Sequence, residues 1–252
     1  MTAEEQPILQ TNQLHHAYGQ QTVLNHLTVS IPKGQLVCVL GASGCGKSTF
    51  LRLVAGLESA AENQLTSRVD QRQCGFVFQQ PNLLPWRSVL ENVALPLQLR
   101  GQSRSRRRQA SLEQLEIVGL SPQDASKWPR MLSGGMQMRA SLARTLITQP
   151  QLLLFDEPFS ALDEILRQRL NEDLRRWHLE YQWTTLFVTH NVAEAVFLAD
   201  RILVFRKVAG GRDSLAADLN IELPQRTPQL RDSEQYLAQV ASVSRQFREI
   251  TS

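Results

Sequence analysis

The chain has 252 residues, of which 42% are hydrophobic, and this is enough to bury the core of one α/β domain without disulfides. Its three cysteines lack metal-ligand spacing and favour a reducing compartment, and the net charge of +3 is too small to indicate a nucleic-acid-binding protein. No signal peptide is recognisable and no apolar run reaches the roughly 18 residues that cross a bilayer, so we expect any role at a membrane to depend on a partner.

In chain order, the first predicted element is an antiparallel β layer. Apolar residues at Leu24, Leu27, Val29 and Ile31 are separated mostly by polar ones, which is typical of a sheet with one solvated face. Short apolar runs then alternate with helical patterns, which indicates a mostly parallel core sheet covered by helices. Strands are predicted at residues 35–40, 75–78, 152–155, 185–188 and 202–205, and helices at residues 47–55, 135–147 and 163–179.

Residues 81–149 are mostly helical in pattern and carry no strong strand, which predicts a helical subdomain inserted into the α/β core. We expect a single domain over residues 1–252, with a catalytic core at 1–80 and 150–206 and a C-terminal tail at 207–252 that ends in a helix around 236–247. The subdomain contains a basic cluster, which is either a solvated helix face or a contact with an acidic partner or lipid headgroups. Its members are Arg104, Arg106, Arg107 and Arg108.

A glycine-rich loop between a predicted strand and a predicted helix satisfies the pattern G-x-x-x-x-G-K-[ST]. Glycines let backbone N–H groups turn inward around anionic oxygens, and the following helix adds the positive end of its dipole. We expect Lys47 to reach the β- and γ-phosphates of ATP and the Ser48 hydroxyl to bind Mg²⁺. The predicted nucleotide-binding residues of this loop are Gly41, Ala42, Ser43, Gly44, Cys45, Gly46, Lys47, Ser48 and Thr49.

An acidic pair follows the predicted strand at 152–155. Because parallel strands present their carboxyl ends at one edge of a sheet, these acids are expected beside the phosphate loop. We expect Asp156 to hold the Mg²⁺ shell and Glu157 to polarise the attacking water as general base. The alternative is an acid pair in a surface turn before Pro158.

The segment 132–137, Leu-Ser-Gly-Gly-Met-Gln, lies just before this acidic pair. Taken alone, it is equally well a helix start with Ser133 as N-cap. In this position it makes the chain resemble the ATP-binding subunits of ABC transporters, over about residues 14–205. The resemblance implies a P-loop NTPase fold with an antiparallel N-terminal β layer and an inserted helical subdomain, and it implies ATP hydrolysis.

Four further positions match motifs of this family in the same order along the chain. The resemblance implies that Tyr18 stacks on adenine and that Gln79 joins the core to the helical subdomain and senses Mg²⁺ and the attacking water. It also implies that Asp163 lies in a loop at the dimer interface and that His190 contacts the γ-phosphate. Taken alone, Tyr18 is more often a packed tyrosine and His190 a capping or core histidine.

The resemblance also implies an assembly. In this family two subunits pack head to tail, so that ATP on one loop is capped by Ser133, Gly134 and Gly135 of the other subunit. We therefore expect a dimer, with a homodimer as the first expectation, that works with a multi-spanning membrane permease and a solute-binding protein. The expected location is the cytoplasmic face of the membrane, and no nucleic acid is expected as a partner. Residues 81–92 are the expected docking groove, in which Trp86 is either an interface aromatic or a core residue.

The segment 132–137, together with Leu-Leu-Pro-Trp at 83–86, resembles the importer ATPases for nitrate, taurine, alkanesulfonates or bicarbonate. Three features depart from the family. Residues 58–74 are short and lack the glycines of a hairpin, so we expect a trimmed sheet there. Gln80 stands where relatives are often acidic, and Met138 stands where this branch more often has a polar residue.

Two other functions remain open at this point. One is a soluble ABC-type ATPase that acts on DNA or ribosomes, although such proteins generally carry two cassettes or a long coiled coil. The other is an inactive regulatory module, which would be favoured if Glu157 or His190 were missing. Both residues are present.

Overall fold

A computed structural model of the protein describes residues 6–208, 211–224 and 226–251. Its N-terminal layer is an antiparallel sheet in which β1 (Leu9–Tyr18) lies between β2 (Gln21–Ile31) and β4 (Leu65–Ser67). The apolar side chains of the alternating segment, which include Leu24 and Ile31, are buried on one face of β2. The predicted antiparallel layer is therefore confirmed.

The core sheet has six strands. They are β3 (Leu36–Gly41), β5 (Cys74–Val77), β6 (Leu152–Asp156), β7 (Thr184–Thr189), β8 (Arg201–Phe205) and β9 (Leu215–Asn220). Their order is β5-β6-β7-β3-β8-β9, and every neighbouring pair is parallel except the pair of β8 and β9. The first five match the predicted strands to within one residue at each end.

Seven α-helices are found in the described part of the chain. They are α1 (Lys47–Val54), α2 (Val89–Leu99), α3 (Arg104–Ile117), α4 (Gly134–Leu146), α5 (Glu164–Tyr181), α6 (Val192–Leu198) and α7 (Glu234–Thr251). Helices α2, α3 and α4 pack on one another and form a helical unit between β5 and β6. The predicted helices at 47–55, 135–147 and 163–179 are confirmed as α1, α4 and α5.

Both faces of the core sheet are buried, and successive residues of a strand face opposite sides. On β3, Leu36, Cys38 and Leu40 belong to one apolar cluster, whereas Val37 and Val39 belong to the other. The first cluster also contains the buried residues of α2, α4, α5 and α6, and the second contains those of α1 and the N-terminal layer. This explains why the predicted strands are continuous apolar runs.

Between residue 58 and the start of β5 at Cys74, the regular elements are the three-residue β4 and one short 3₁₀ turn, Gln71–Gln73. Met138 is buried among the apolar residues of α4. Trp86 is 68% exposed, so the expectation of a core residue at this position is wrong.

The C-terminal tail is packed on the rest of the molecule. Strand β9 pairs with β8 at the edge of the core sheet, and α7 packs on α6. The Arg226 side chain, 4% exposed, forms an ion pair with Asp200 just before β8. Asp200 also pairs with Arg175 of α5 and accepts a hydrogen bond from the backbone N–H of Leu36. Within the described ranges, no helix combines the length and apolarity that spanning a membrane requires.

Candidate functional site

The glycine-rich loop lies between β3 and α1, at the carboxyl end of the central strand. Gly44 and Gly46 have φ angles of 78° and 96°, a region that residues with a Cβ rarely adopt. A Cβ at Gly46 would lie 2.8 Å from the carbonyl oxygen of Val23, and one at Gly41 would lie 2.8 Å from that of Phe205. The loop therefore needs glycine for its backbone angles and for its close packing.

The Lys47 side chain is 5% exposed and lies inside the loop. Its ammonium group donates hydrogen bonds to the carbonyl oxygens of Gly41 at 2.8 Å and Ala42 at 3.1 Å. It is also 3.6 Å from Glu157 Oε1. The cation is thus fixed between the phosphate loop and the acidic pair at the end of β6.

Ser48 and Asp156 are joined directly. The Ser48 hydroxyl donates a 2.8 Å hydrogen bond to Asp156 Oδ1, which connects the start of α1 to the end of β6. Burial raises the pKa of Asp156, the hydrogen bond from Ser48 opposes this, and the neighbouring Glu157 charge raises it further. A nearby divalent cation would favour the ionised carboxylate, because opposite charge lowers the pKa of an acid.

Glu157 contacts both the lysine and the histidine of the site. Its φ of 47° lies in the left-handed region, and its backbone N–H donates to the carbonyl oxygen of Val188 in β7. One carboxylate oxygen faces Lys47, and the other is 3.0 Å from Nδ1 of His190. The carboxylate is therefore held between a lysine and a histidine at the carboxyl edge of the sheet.

Gln79 reaches Glu157 through a serine. The Gln79 amide donates to Ser160 Oγ at 3.1 Å, and the Ser160 hydroxyl donates to the carbonyl oxygen of Glu157 at 2.9 Å. Gln79 directly follows the β5 region and precedes the helical unit. These two hydrogen bonds connect the segment before the helical unit to the backbone of Glu157. No role was assigned to Ser160 from the sequence.

Tyr18 stands at the end of β1, beside α1. Its hydroxyl donates a 2.6 Å hydrogen bond to Glu58 and lies 3.4 Å from Thr49 Oγ1 in the loop. The ring is packed edge to face on His16, and the residue is 48% exposed. The tyrosine is thus anchored through its hydroxyl and open on the rest of its surface. No sequence pattern indicated Glu58 as its partner.

The segment 133–135 lies at the start of α4. Ser133 is the N-cap of this helix, and Gly134 and Gly135 pack against Leu162 and Leu166. Among the described residues, no hydrogen bond or ion pair joins this segment to the phosphate loop. Asp163 is the N-cap of α5, where its side chain accepts a hydrogen bond from the Leu166 N–H.

The structure brings most of the predicted site residues together. Among the described residues, no hydrogen bond or ion pair joins the segment 133–135 or Asp163 to this group. Those brought together are Tyr18, the loop residues 41–49, Gln79, Asp156, Glu157 and His190.

The site fits a phosphate group and a hard divalent cation. The loop is a cradle in which a Cβ at Gly41 or Gly46 would collide with backbone oxygens. In the described residues, no group of three His, Cys, Asp or Glu side chains could hold a metal by itself. The pair of Ser48 and Asp156 supplies only two oxygen ligands, which is the arrangement expected where phosphates and waters complete the shell of Mg²⁺.

Comparison with known proteins agrees with this geometry. The family model described as ABC transporter matches residues 24–160. The aliphatic sulfonates import ATP-binding protein SsuB 3 of Pseudomonas savastanoi pv. phaseolicola is 41% identical over 244 residues, which cover 93% of this chain and 84% of the relative. SsuB of Yersinia pestis bv. Antiqua is 42% identical over 231 residues, which cover 90% of this chain and 80% of the relative.

Solved structures of such cassettes are also similar. A dimeric structure of MJ0796, a bacterial ABC transporter cassette, is 30% identical with a TM-score of 0.72 and covers 86% of this chain and 100% of its own. A dimer of MJ0796 in a post-hydrolysis state with ADP and Pi gives a TM-score of 0.72 at 29% identity over the same shares of the two chains. With a family model over more than half of the chain and relatives of about 41% identity over most of it, the chain belongs to the ABC transporter family, as an ATP-binding and ATP-hydrolysing cassette.

Proposed function

We propose that the chain is the ATPase subunit of an ABC importer for an aliphatic sulfonate, and that it works as a dimer on a separate membrane permease. The observation that carries the proposal is the cluster of Lys47, Asp156, Glu157 and His190 at one edge of the sheet. The sulfonate class is supported by the names of the relatives, which are sulfonate import proteins. Nitrate, taurine and bicarbonate remain the neighbouring possibilities.

The roles of the site residues follow from their positions. The loop N–H groups and Lys47 would hold the phosphates, and Ser48, Asp156 and Gln79 would bind Mg²⁺. Bound Mg²⁺ supplies charge neutralisation between the phosphates. Glu157, whose carboxylate lies between Lys47 and His190, accepts the proton of the attacking water.

A second copy completes the site. The segment 133–135 lies at the start of a 13-residue helix, and among the described residues no hydrogen bond or ion pair joins it to the loop of its own chain. A helix N-terminus attracts anions, so the segment suits the phosphates held by a neighbouring chain. The solved MJ0796 cassettes are dimers, which supports this arrangement. In it, Asp163 lies at the start of α5 near the partner, and Tyr18 offers its open ring to adenine.

The permease is proposed to dock on the helical unit. A groove of about 930 Å³ lies between α2 and α3, and the exposed Trp86 and Leu90 line it together with arginines of α3. These arginines belong to the basic cluster, which favours a partner contact over a purely solvated face. Peripheral attachment at the cytoplasmic face of the membrane follows from this docking. A periplasmic or extracellular solute-binding protein is the expected third component.

We also propose a division of the chain into three parts. Residues 1–80 and 150–206 form the catalytic core, 81–149 the helical subdomain that moves with the permease, and 207–252 the tail. Gln79 stands at the junction of the first two units, where the Ser160 hydrogen bond transmits movement to Glu157.

The first prediction tests the catalytic assignment with Glu157→Gln. The amide cannot accept a proton, so kcat of Mg-ATP hydrolysis is expected to fall at least about 100-fold, since a general base contributes 10² or more to the rate. ATP binding persists, and an ATP-dependent dimer accumulates in light scattering after size exclusion. Glu62→Gln, at an exposed glutamate on the loop after α1, serves as the matched control and keeps the normal rate.

Normal turnover of Glu157→Gln would show that the base is assigned wrongly. The transport assignment has its own test, because deletion of the gene is expected to abolish growth on an aliphatic sulfonate as sole sulfur source but not on sulfate. Purification from the native host should also recover a multi-spanning membrane protein. Recovery of ribosomes or DNA instead would favour the soluble ABC-type ATPase, for which the relatives give no support.

A further inference from the structure

One buried carboxyl group near the site has no part in the proposed chemistry. Glu194 lies in the first turn of α6 and is 6% exposed. Its Oε2 accepts a 2.5 Å hydrogen bond from the hydroxyl of Thr189, the last residue of β7. A charged residue at this depth is rare unless it is paired, and this carboxyl forms no ion pair among the described residues.

The hydrogen bonds of Glu194 hold both neighbours of His190. The Thr189 hydroxyl that donates to Glu194 also accepts from the backbone N–H of Asn191 at 3.0 Å. The backbone N–H of Glu194 in turn donates to Asn191 Oδ1 at 3.1 Å. Thr189 and Asn191 flank His190, so these three bonds fix the backbone turn from which the imidazole projects.

The imidazole has little other support. His190 is 60% exposed at its side chain, and within the described part of the chain its ring has one hydrogen-bond partner, Glu157 at 3.0 Å. A rotation of the turn would therefore move the ring away from Glu157. The direction of the His190 side chain therefore depends on the backbone turn at residues 189–191, which the hydrogen bonds of Glu194 hold in place.

The surroundings of the carboxyl favour its protonated form. Two buried oxygens here lack a donor among the described residues, Glu194 Oε1 and Asn171 Oδ1. Asn171 of α5 lies beside the carboxyl, and a protonated carboxyl can donate a hydrogen bond to an amide oxygen, which an ionised carboxylate cannot do. Burial raises the pKa of Glu194, against the opposing hydrogen bonds from Thr189 and Asn171 and the charges of Arg167 and His190. Cys38 on β3 is the other titratable neighbour.

We propose that Glu194 is a positioning residue for His190. Glu194 acts as a buried carboxylic acid and orders the turn between β7 and α6 through the Thr189 hydroxyl. The proposal rests on the role of His190 in the proposed function. It predicts that hydrogen-bonding capacity at position 194, and not negative charge, maintains the catalytic rate.

The kinetic test compares Glu194→Gln with Glu194→Ala. Glutamine keeps an acceptor for the Thr189 hydroxyl and also has a donor for Asn171, as the protonated acid does, so kcat is expected to stay within about threefold of the wild type. Alanine is expected to lower kcat about tenfold or more with little change in KM for ATP, because the phosphate loop is untouched. If Glu194→Gln loses as much activity as Glu194→Ala, the negative charge is required and the proposal is wrong.

Variants of Thr189 test the same bond without emptying the buried site. Thr189→Ser keeps the hydroxyl and is expected to keep kcat, whereas Thr189→Val removes it at similar volume and should lower kcat as Glu194→Ala does. Normal turnover of Thr189→Val would overturn the proposal even if Glu194→Ala failed to fold.

A double-mutant cycle with His190→Ala separates this inference from the proposed function. If Glu194 acts through His190, then Glu194→Ala adds no further loss of kcat in the His190→Ala background. Additive losses would overturn the inference alone. A His190→Ala variant with normal kcat would show instead that the proposed role of His190 is wrong, and the inference would fall with it.

The protonation state has a separate readout in thermal stability. A carboxyl whose pKa is raised on folding stabilises the protein at low pH, and this contribution is lost as the pH rises towards the folded pKa. The Tm of Glu194→Gln relative to the wild type is therefore expected to rise as the pH is raised from the ordinary carboxyl pKa of 4.5 to neutral pH, because glutamine does not titrate. A constant difference in Tm over this range would contradict the protonated form.

Discussion

At the scale of single residues, Glu157 is held in a backbone conformation that is unfavourable for a residue with a side chain. Glu157 adopts a φ of 47°, and the structure holds it there through the Val188 carbonyl, Lys47 and His190. Left-handed backbone at a residue with a side chain costs about 1–2 kcal/mol, and such strain persists where the surroundings over-determine it. Its presence at the proposed base is consistent with a carboxylate that must point along one direction.

The second prediction concerns Gly46→Ala. The φ of 96° is unfavourable for alanine, and its Cβ would lie 2.8 Å from the Val23 carbonyl oxygen, which belongs to backbone and cannot rotate away. We expect a loss of stability of more than about 1–2 kcal/mol in urea unfolding, together with loss of ATP binding.

Gly101→Ala is the matched control for this substitution. Gly101 also has a positive φ, 74°, but a Cβ there meets no atom within 4 Å. It shares the backbone strain and lacks the collision, so its loss of stability should be smaller and its ATP binding normal. Equal effects of the two substitutions would contradict the role of close packing at Gly46.

At the scale of elements, the tail stabilises the helix that follows His190. The Tyr236 hydroxyl of α7 donates to the carbonyl oxygen of Ala193 in α6, and the Arg231 guanidinium lies over the Phe197 ring of the same helix. Arg231 also reaches Glu172 of α5. The tail thus fastens α6 against α5, close to the turn that carries His190.

The third prediction is that Tyr236→Phe lowers the free energy of unfolding by about 1 kcal/mol, the net value of one intramolecular hydrogen bond. Denaturant unfolding monitored by circular dichroism measures it. Leu237→Ala, on the exposed side of the same helix, provides the comparison and should change stability by less than about 0.5 kcal/mol. If Tyr236→Phe is neutral, the contact between α7 and α6 does not fasten the tail.

At the scale of the whole molecule, Asp200 joins distant parts of the chain. It pairs with Arg175 of α5 and Arg226 of the tail, and it accepts from the N–H of Leu36 at the start of β3. Burial alone would raise the pKa of Asp200, but hydrogen bonds from His178 and Leu36 and the charge of Arg175 outweigh it and hold the pKa well below the ordinary value of 3.8. The carboxylate is therefore a junction between core and tail.

The fourth prediction follows from this junction. Because the folded pKa of Asp200 lies below the unfolded one, its stabilisation is present above the ordinary value of 3.8 and is lost as the pH falls through the folded pKa. Asp200→Asn should cost about 3 kcal/mol at neutral pH, since it leaves the buried Arg226 without its anion. It should also flatten the acid limb of the stability curve.

Urea unfolding between about pH 2 and pH 7 measures both effects. Asp213→Asn removes an exposed partner of His26 and should leave the curve almost unchanged. An unchanged stability of Asp200→Asn at neutral pH would show that the junction is not needed.

The sequence was sufficient to predict those elements whose local residue pattern agrees with their place in the tertiary structure. The run at 35–40, the glycine loop and the helix that begins at Lys47 were predicted together because phosphate binding requires this order. Strand β9 was not predicted, because Leu215–Asn220 contains Ala, Asp and Asn, which are poor strand formers. It forms by pairing with β8 at the sheet edge, and pairing partners are not visible in a local pattern.

What the sequence by itself determined is the chemistry: a phosphate loop, an acidic pair, and a family pattern that assigns ATP hydrolysis. These features depend on residue types at fixed spacing, and such spacing can be read directly from one sequence. Only the tertiary structure decided that Glu157 lies between Lys47 and His190, that Ser160 connects Gln79 to it, and that the segment 133–135 stands apart. Such contacts join residues far apart in the chain, and they exist only once the sheet has brought its strand ends to one edge.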